Sequence, residues 1–141
     1  MKTTGISSLD HAPQVVAEWL NDLEGRLGEE NRSRTYMLLR ATLHAVRDFL
    51  STDESADLAA QLPVMLRGIY FEGFVPSRQP AHPRGKQAFL DRVNSVFHDD
   101  PLDDPEAAVS AVFDLLHDKI SAGEYEQVAK AMRGSLRALL V

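Results

Sequence analysis

One pair of side chains in this sequence has the spacing of metal ligands: Asp114 and His117 stand three residues apart on a predicted helix. A carboxylate-bridged di-iron site needs two Glu-x-x-His pairs and two further glutamates that project inward. Here the pair occurs once, carries aspartate, and lies beside the apolar seam of its helix. The remaining histidines are scattered: His11, His44, His82 and His98. We therefore expect no metal site.

The stretch "HDDPLDDP" contains four aspartates within six residues: Asp99, Asp100, Asp103 and Asp104. Hard cations bind oxygen clusters of this kind, but the spacing and the closing glutamate of an EF-hand are missing. Asp-Pro pairs are common at turns and helix starts, so we interpret the stretch as a solvated loop. No Ser–His–acid order, glycine-rich phosphate loop or HExxH motif is present. We lean against an enzyme and expect no catalytic residue and no cofactor.

The composition is typical of one ordinary globular domain. The chain has 141 residues, 44% of them hydrophobic and 26% charged, and no cysteine. The net charge of −6 argues against general attraction to nucleic acid or to an anionic membrane. No segment approaches the roughly 20 apolar residues of a spanning helix, and the start has no apolar run of a signal peptide. A cytoplasmic protein of bacterial type is the default expectation.

Basic residues at the start and along one flank of the second predicted helix allow a nucleic-acid interpretation. They are Arg32, Arg34, Arg40, His44 and Arg47. Acidic residues are close in sequence, and no helix-turn-helix, zinc finger or aromatic stacking platform is recognisable. A surface network of ion pairs explains these arginines better, and nucleic-acid association is kept as a third reading.

Apolar spacing predicts helices throughout the chain, hence an all-α fold of about eight helices. In the second predicted helix Tyr36, Leu39, Leu43, Val46 and Leu50 advance by three and four residues, as a buried helical seam does. Ser51 and Glu54 form an S-x-x-E capping box that starts another helix, as do Ser121 and Glu124. Pro63 favours a fresh short helix, and "VPSRQPAHPRG" favours an extended linker.

The two capping boxes belong to a repeat with an offset of 70 residues. Residues 19–71 align with residues 89–141 without a gap, with eight identities among 53 positions, and apolar seams and caps coincide. We expect a single domain, residues 1–141, built from two four-helix units of about 10–75 and 85–141 with a linker at 76–84. Units of this size are marginal alone, so we expect them to pack on each other, around a pseudo-twofold axis or side by side.

Two charged residues are identical in both units, which suggests a structural clamp. Arg67 corresponds to Arg137, and Asp48 to Asp118. We expect either that the pairs Asp48–Arg67 and Asp118–Arg137 join a long helix to a short one, or that each arginine binds carbonyls of a neighbouring helix.

Aromatic side chains are concentrated before the linker in "GIYFEGF", at Tyr70, Phe71 and Phe74, and the second unit has no equivalent. The segment is interpreted as the seam between the units or as the surface for a protein partner or a homodimer, because aromatics are enriched in interface cores.

Two motifs resemble a bacterial family of unknown function, number 2267. Ala41–Leu50 matches A-x-LHA-x-RD-x-L, and Glu54–Tyr70 matches E-x-x-x-L-x-AQLP-x-x-(I/L)RG-x-(Y/F). The second unit departs from the family pattern, since "AKAMRGSLRALL" replaces the AQLP signature. The resemblance covers nearly the whole chain and implies an all-helical fold, but no established activity and no catalytic residue.

The functional expectation is a non-enzymatic module that binds another protein or itself. The alternative is a small-molecule binder or enzyme with a pocket between the two units, lined by Arg67, His44 or Tyr36. Self-association that depends on Phe71 would favour the first reading, and salt-sensitive retention on heparin would favour nucleic-acid association.

Overall fold

The computed structural model describes residues 3–132 and 134–141, and all regular structure in these ranges is helical. The seven α-helices are α1 (Ser7–Leu27), α2 (Arg32–Phe49), α3 (Thr52–Gln61), α4 (Val64–Tyr70), α5 (Lys86–Asn94), α6 (Pro105–Lys119) and α7 (Ala122–Ala131). Short 3-10 helices cover Pro76–Arg78, Ser95–Phe97 and Gly134–Leu139. The prediction of an all-α fold is confirmed. Within the described residues, no helix combines the length and apolar character needed to cross a membrane.

Local sequence signals explain where most helices begin and end. Asn31 Oδ1 accepts a hydrogen bond from the Arg34 N–H and starts α2, and Gly28 ends α1 with a φ of 67°. Pro63 occupies the N-cap position of α4, so α3 and α4 are separate helices. Helix α1 begins at Ser7, although Asp10 before Pro13 suggests from the sequence a helix that starts after Asp10. The Asp10 carboxylate instead lies in the first turn and accepts hydrogen bonds from Thr4.

One hydrophobic core runs through both parts of the chain. We call α1–α4 the first half, and α5–α7 with the C-terminal 3-10 helix the second half. The rings of Phe49 and Phe89 meet edge to face with centroids 5.3 Å apart, and Phe89 and Phe113 are 5.8 Å apart. These contacts bury aromatic surface from both halves in one place. Burial of such large apolar side chains contributes strongly to stability.

The contacts between the halves are reciprocal. Helix α1 packs on α6, and α5, which aligns with the later part of α1, packs on α2. Helix α2 also meets its counterpart α6, and α3 meets its counterpart α7. This is the pattern of an isologous interface around a twofold axis. The repeat itself stays a prediction, which superposing the halves at the 70-residue offset would test.

A tyrosine joins the last helix of each half to the helix before it. In the first half the Tyr70 hydroxyl donates to the Ser55 carbonyl at 3.1 Å. In the second half the Tyr125 hydroxyl donates to the Leu140 carbonyl at 2.8 Å. At the 70-residue offset Ser55 corresponds to Tyr125 and Tyr70 to Leu140. The same two positions are therefore hydrogen-bonded in both halves, but the tyrosine occupies the later position in the first half and the earlier position in the second.

The two helix caps differ in one bond. Ser51 Oγ accepts from the Glu54 N–H, and Glu54 Oε1 accepts from the Ser51 N–H at 2.9 Å, which completes the capping box. Ser121 Oγ likewise accepts from the Glu124 N–H, but the Ser121 N–H donates to Gln61 of the first half at 3.0 Å. Burial, and then the nearby carboxylates of the first half, raise the pKa of Glu124.

Thr42 on α2 is fully buried, and its hydroxyl has no hydrogen-bond partner among the described residues. Valine stands at the corresponding position of the second half, residue 112. We expect Thr42→Val to raise the free energy of unfolding by about 1 kcal/mol, because it removes a buried polar group without a partner at nearly constant volume. Urea denaturation measures the change.

Thr35→Val is the matched control, because Thr35 is equally buried on α2 but donates to the Asn31 carbonyl at 3.2 Å. This variant is expected to be neutral or less stable. Equal effects of the two substitutions would show that the missing partner of Thr42 has no energetic consequence.

Candidate functional site

Tyr70 does not belong to an exposed interaction surface, contrary to the sequence interpretation. Its side chain is 0% exposed, and burial raises its pKa far above the ordinary range. Helix α4, which ends at Tyr70, packs on α1, α2 and α3 of the first half. The tyrosine is therefore a core residue of the first half.

Phe71 and Phe74 are half-buried and extend the packing that begins at Tyr70. The Tyr70 and Phe71 rings meet edge to face at 5.0 Å, and Phe71 and Phe74 are 5.3 Å apart. The Arg47 guanidinium lies over the Phe74 ring, 5.6 Å from its centroid. Both phenylalanines thus anchor the end of α4, and only part of each ring is left for a partner.

A buried arginine fastens the segment after α4 to α2. Arg47 is 5% exposed, and its Nη1 donates to the carbonyls of Tyr70 at 2.9 Å and Glu72 at 2.6 Å. Its Nε donates to Asp48 Oδ1 at 2.9 Å. Charge-assisted bonds of this kind compensate for the desolvation of the guanidinium. The arginine of the "LHAVRD" motif is therefore structural.

The linker closes the end of α2 through one amide side chain. Gln79 Nε2 donates to the carbonyls of Arg47 at 2.7 Å and Leu50 at 3.1 Å, and also lies 2.8 Å from Ser55 Oγ. Thr52 Oγ1 donates to Gln79 Oε1 at 2.9 Å. Terminal carbonyls of α2 that have no partner within the helix are satisfied in this way.

The expected clamps Asp48–Arg67 and Asp118–Arg137 do not form. Arg67 instead donates to the carbonyls of Ala59 and Leu62, both at 2.9 Å, at the end of α3. This is the other arrangement that the sequence left open for Arg67. Arg137 is exposed and does not bind Asp118.

The two aspartates instead connect one half to the other. Asp48 binds Arg92 of α5 at 3.2 Å in addition to Arg47, and Asp118 binds Arg26 of α1. Side chains at the same register of α2 and α6 therefore each bind an arginine across the interface, although the two arginines do not correspond at the 70-residue offset. A clamp exists at these positions, but its partners lie on α5 and α1.

The basic residues of α2 are committed to carboxylates and carbonyls of the same chain. Arg32 binds Glu24 at 2.9 Å, and Arg40 binds Glu72 at 3.2 Å. His44 Nε2 lies 2.7 Å from the Ile69 carbonyl, and burial lowers its pKa. This network corresponds to the ion-pair interpretation rather than to a row of phosphate contacts.

His117 stacks on Tyr125 with ring centroids 4.5 Å apart. Within the described ranges, no group of three or more histidines and carboxylates has an arrangement that could hold a metal ion.

The acidic loop is tied to α2, because Arg34 Nη1 donates to the carbonyl and the carboxylate of Asp100.

A cleft of about 280 Å³ lies between the halves, beside the first turns of α2 and α6. Apolar side chains from both halves form its floor: Leu27, Leu38, Leu102, Ala107, Ala108 and Ala111. Clefts of this type, apolar with a few polar groups at the edge, are where proteins hold small ligands. Arg67, His44 and Tyr36, which the sequence interpretation placed around such a pocket, do not line it.

Small residues of α6 line this cleft where α2 has larger ones. At the 70-residue offset, Ala107 corresponds to Met37 and Ala108 to Leu38. A second cleft of about 220 Å³ has Met37 and Phe97 in its lining. At the 70-residue offset these residues correspond to Ala107 and Leu27 of the first cleft. Six of the second cleft's eight lining residues are the 70-residue counterparts of residues that line the first cleft: Ser33, Arg34, Met37, Val96, Phe97 and Asp99.

The two arginines at the edge of the first cleft are already bonded. Arg26 binds Asp22 at 2.7 Å and also Asp118, and its hydrogen bond holds the pKa of Asp22 below the ordinary value. Arg34 donates to the Asp100 carbonyl at 2.9 Å and lies 4.9 Å from the centroid of Phe97. Both guanidinium groups are therefore held in place at the edge of the cleft by bonds within the chain.

Sequence reasoning missed the cleft, although a signal for it was present. Aligning the two halves compares Met37 and Leu38 with Ala107 and Ala108, so large residues of one half correspond to small residues of the other. Such a difference at otherwise matching apolar positions indicates a space in the packing.

Arg47 supplies a direct test of the buried polar network. We expect Arg47→Met to lower the free energy of unfolding by about 3 kcal/mol, because the carbonyls of Tyr70 and Glu72 lose a buried donor. Arg40→Met is the control: Arg40 is on the same helix and pairs with the Glu72 carboxylate, but it is more exposed. Its loss should cost less than about 0.5 kcal/mol. A cost for Arg47→Met as small as that of the control would contradict a structural role.

Comparison with known proteins adds the family and no activity. The family described as "Uncharacterized conserved protein (DUF2267)" matches residues 16–139, which extend from the middle of α1 to the C-terminal 3-10 helix. No curated protein matches the chain at a significant level. The match covers nearly the whole chain, including α2, the linker and the cleft, and the chain therefore belongs to the DUF2267 family.

Proposed function

We propose that this chain is a non-enzymatic binding protein whose ligand occupies the cleft between the two halves. The observation that carries the proposal is the cleft itself: about 280 Å³ of space lined by apolar side chains of both halves. An open apolar cleft leaves its lining atoms in contact with water. A ligand with an apolar body gains free energy when it removes that surface from water.

The walls of the cleft support binding rather than catalysis. Of the cationic groups at its edge, Arg26 joins α1 to α6 and Arg34 joins α2 to the acidic loop through bonds within the chain. A catalytic group must be able to change its bonds with the substrate during the reaction. Residues that fix the framework instead give the cleft a preformed shape, which lowers the entropic cost of binding.

Filling the cleft tests this proposal. Ala107→Met gives α6 the residue that α2 has at the corresponding position, and methionine is compatible with a helix. We expect 1-hexanol, titrated into ¹⁵N-labelled protein, to shift the amide signals of residues that line the cleft, such as Leu38, Leu102 and Ala111. The variant should weaken this binding at least roughly fivefold, because the added side chain takes the space of the alkyl group.

Ala56→Met is the matched control, because Ala56 is exposed on α3 and does not line the cleft. It should leave the affinity unchanged. Shifts that are scattered over the surface, or equal affinities in the two variants, would overturn the proposal.

A second candidate function, self-association, is favoured by apolar side chains that α4 leaves in solvent. Val64 is 56% exposed and Met65 38% exposed, and Val75, which follows the aromatic segment, is 37% exposed. Apolar groups exposed side by side favour association with a protein surface. If this surface joins two copies, Val64→Asp should shift the sedimentation of the protein from dimer to monomer.

Ala122→Asp is the control for that experiment, because Val64 and Ala122 are each the exposed first residue of a helix. An aspartate in the first turn suits the helix dipole in both places. A wild-type chain that stays monomeric at high concentration would exclude self-association through α4.

A further inference from the structure

We propose that the second cleft is a separate binding site, and that it takes a small molecule with one aromatic ring. The site goes beyond the proposed function, which concerns the first cleft. It is supported by the space beside Met37, by the exposure of that side chain and by the chemistry of the residues around it.

Both halves contribute to the second cleft. Arg34 and Met37 come from α2, and Val96 and Phe97 come from the short 3-10 helix that follows α5. The volume of the cleft is about 220 Å³. A cavity of about 150 Å³ inside a protein is large enough to bind benzene. The second cleft therefore has room for one ring with a small substituent.

Met37 is an apolar side chain that the fold leaves partly uncovered. It is 38% exposed, whereas its neighbours Leu38 and Leu39 on α2 are at most 2% exposed. A guest in the second cleft would cover this methionine and gain the free energy of removing apolar surface from water. The first cleft has Ala107 at the corresponding position, so the methionine distinguishes one cleft from the other.

Two side chains around the second cleft favour an aromatic ring over an aliphatic one. The thioether of a methionine makes favourable contacts with aromatic rings, and a guanidinium group is attracted to the face of a ring. Arg34 already makes such a contact, 4.9 Å from the centroid of Phe97. Because Arg34 lines both clefts, we assign the preference of the second cleft for aromatic guests to Met37.

Methyl labelling of the methionines tests for this site in the full chain. Benzyl alcohol is titrated into protein that carries ¹³C-methyl methionine, and the methyl signal of Met37 is followed. We expect a saturable shift, because the ring current of a bound guest acts on a methyl group beside it. Met65 on α4 is the internal control, since it is also 38% exposed but does not line the cleft.

Met37→Leu tests the role of the sulfur. Leucine keeps the apolar character, the approximate volume and the helix propensity of methionine. Benzyl alcohol and cyclohexylmethanol differ in the aromaticity of the ring, and the amide shifts of Val96 and Asp99 report the binding of each. We expect the affinity for benzyl alcohol relative to cyclohexylmethanol to fall roughly threefold in the variant. Met65→Leu is the matched control and should leave this ratio unchanged.

Ala107→Met separates the two clefts. It fills the first cleft and should leave the shift of Met37 with benzyl alcohol unchanged. Loss of the shift would show that the guest occupies the first cleft, so the aromatic site would be wrong and the proposed function would survive. If Met37 shifts with benzyl alcohol but 1-hexanol does not shift Leu38 and Leu102, the proposed function fails and the aromatic site stands.

Four further results would overturn the aromatic site. The first is no shift of Met37 with benzyl alcohol. The second is an equal, non-saturating shift of Met37 and Met65, which would show non-specific contact with exposed methionines. The third is an unchanged affinity ratio in Met37→Leu. The fourth is tighter binding of N-acetylphenylalaninamide than of benzyl alcohol, which would assign the ring to a polypeptide side chain rather than to a small molecule.

Discussion

The apolar faces of α2 and α6 are buried in part against helices of the opposite half, and this constraint shapes the core. Helix α2 packs on α5 and α6, and α6 packs on α1 and α2. A unit of about 60 residues is marginally stable alone, so we infer that each half depends on the other. The rings of Phe49, Phe89 and Phe113 meet at this interface, and Asp48 and Asp118 bind arginines across it.

The cleft is a consequence of the same interface. Two surfaces that must cover each other leave no space when their side chains match in size, and leave a space where they do not. At the first turns of α6, Ala107 and Ala108 stand where α2 has Met37 and Leu38, and the cleft beside them, about 280 Å³, is larger than the corresponding cleft of about 220 Å³ beside Met37. The guanidinium groups beside the gap are held by carboxylates of α1, α6 and the acidic loop.

The sequence predicted what depends on neighbours along the chain and missed what depends on neighbours in space. Helices, the Ser51–Glu54 cap and the break at Pro63 follow from local spacing and backbone chemistry, and they lie where expected. Tyr70 was assigned to the seam between the units or to a partner surface, because its short segment has too few turns for apolar spacing to show which face is buried. Asp48 was assigned to Arg67 within its half, whereas its additional partner Arg92 becomes visible only when the halves are packed. A cleft likewise is not marked by any particular residue type, and it must be inferred from positions where small side chains replace large ones.

Native-state hydrogen exchange of the full chain tests the mutual dependence of the halves most directly. If each half is stable only against the other, the slowest amides of α2 and α6 should exchange through one global opening. Their free energies of opening should then be equal and should fall together in denaturant. Slow exchange in α2 combined with a distinctly lower opening free energy throughout α6 would show that the first half folds without the second. That result would contradict the account of both the core and the cleft.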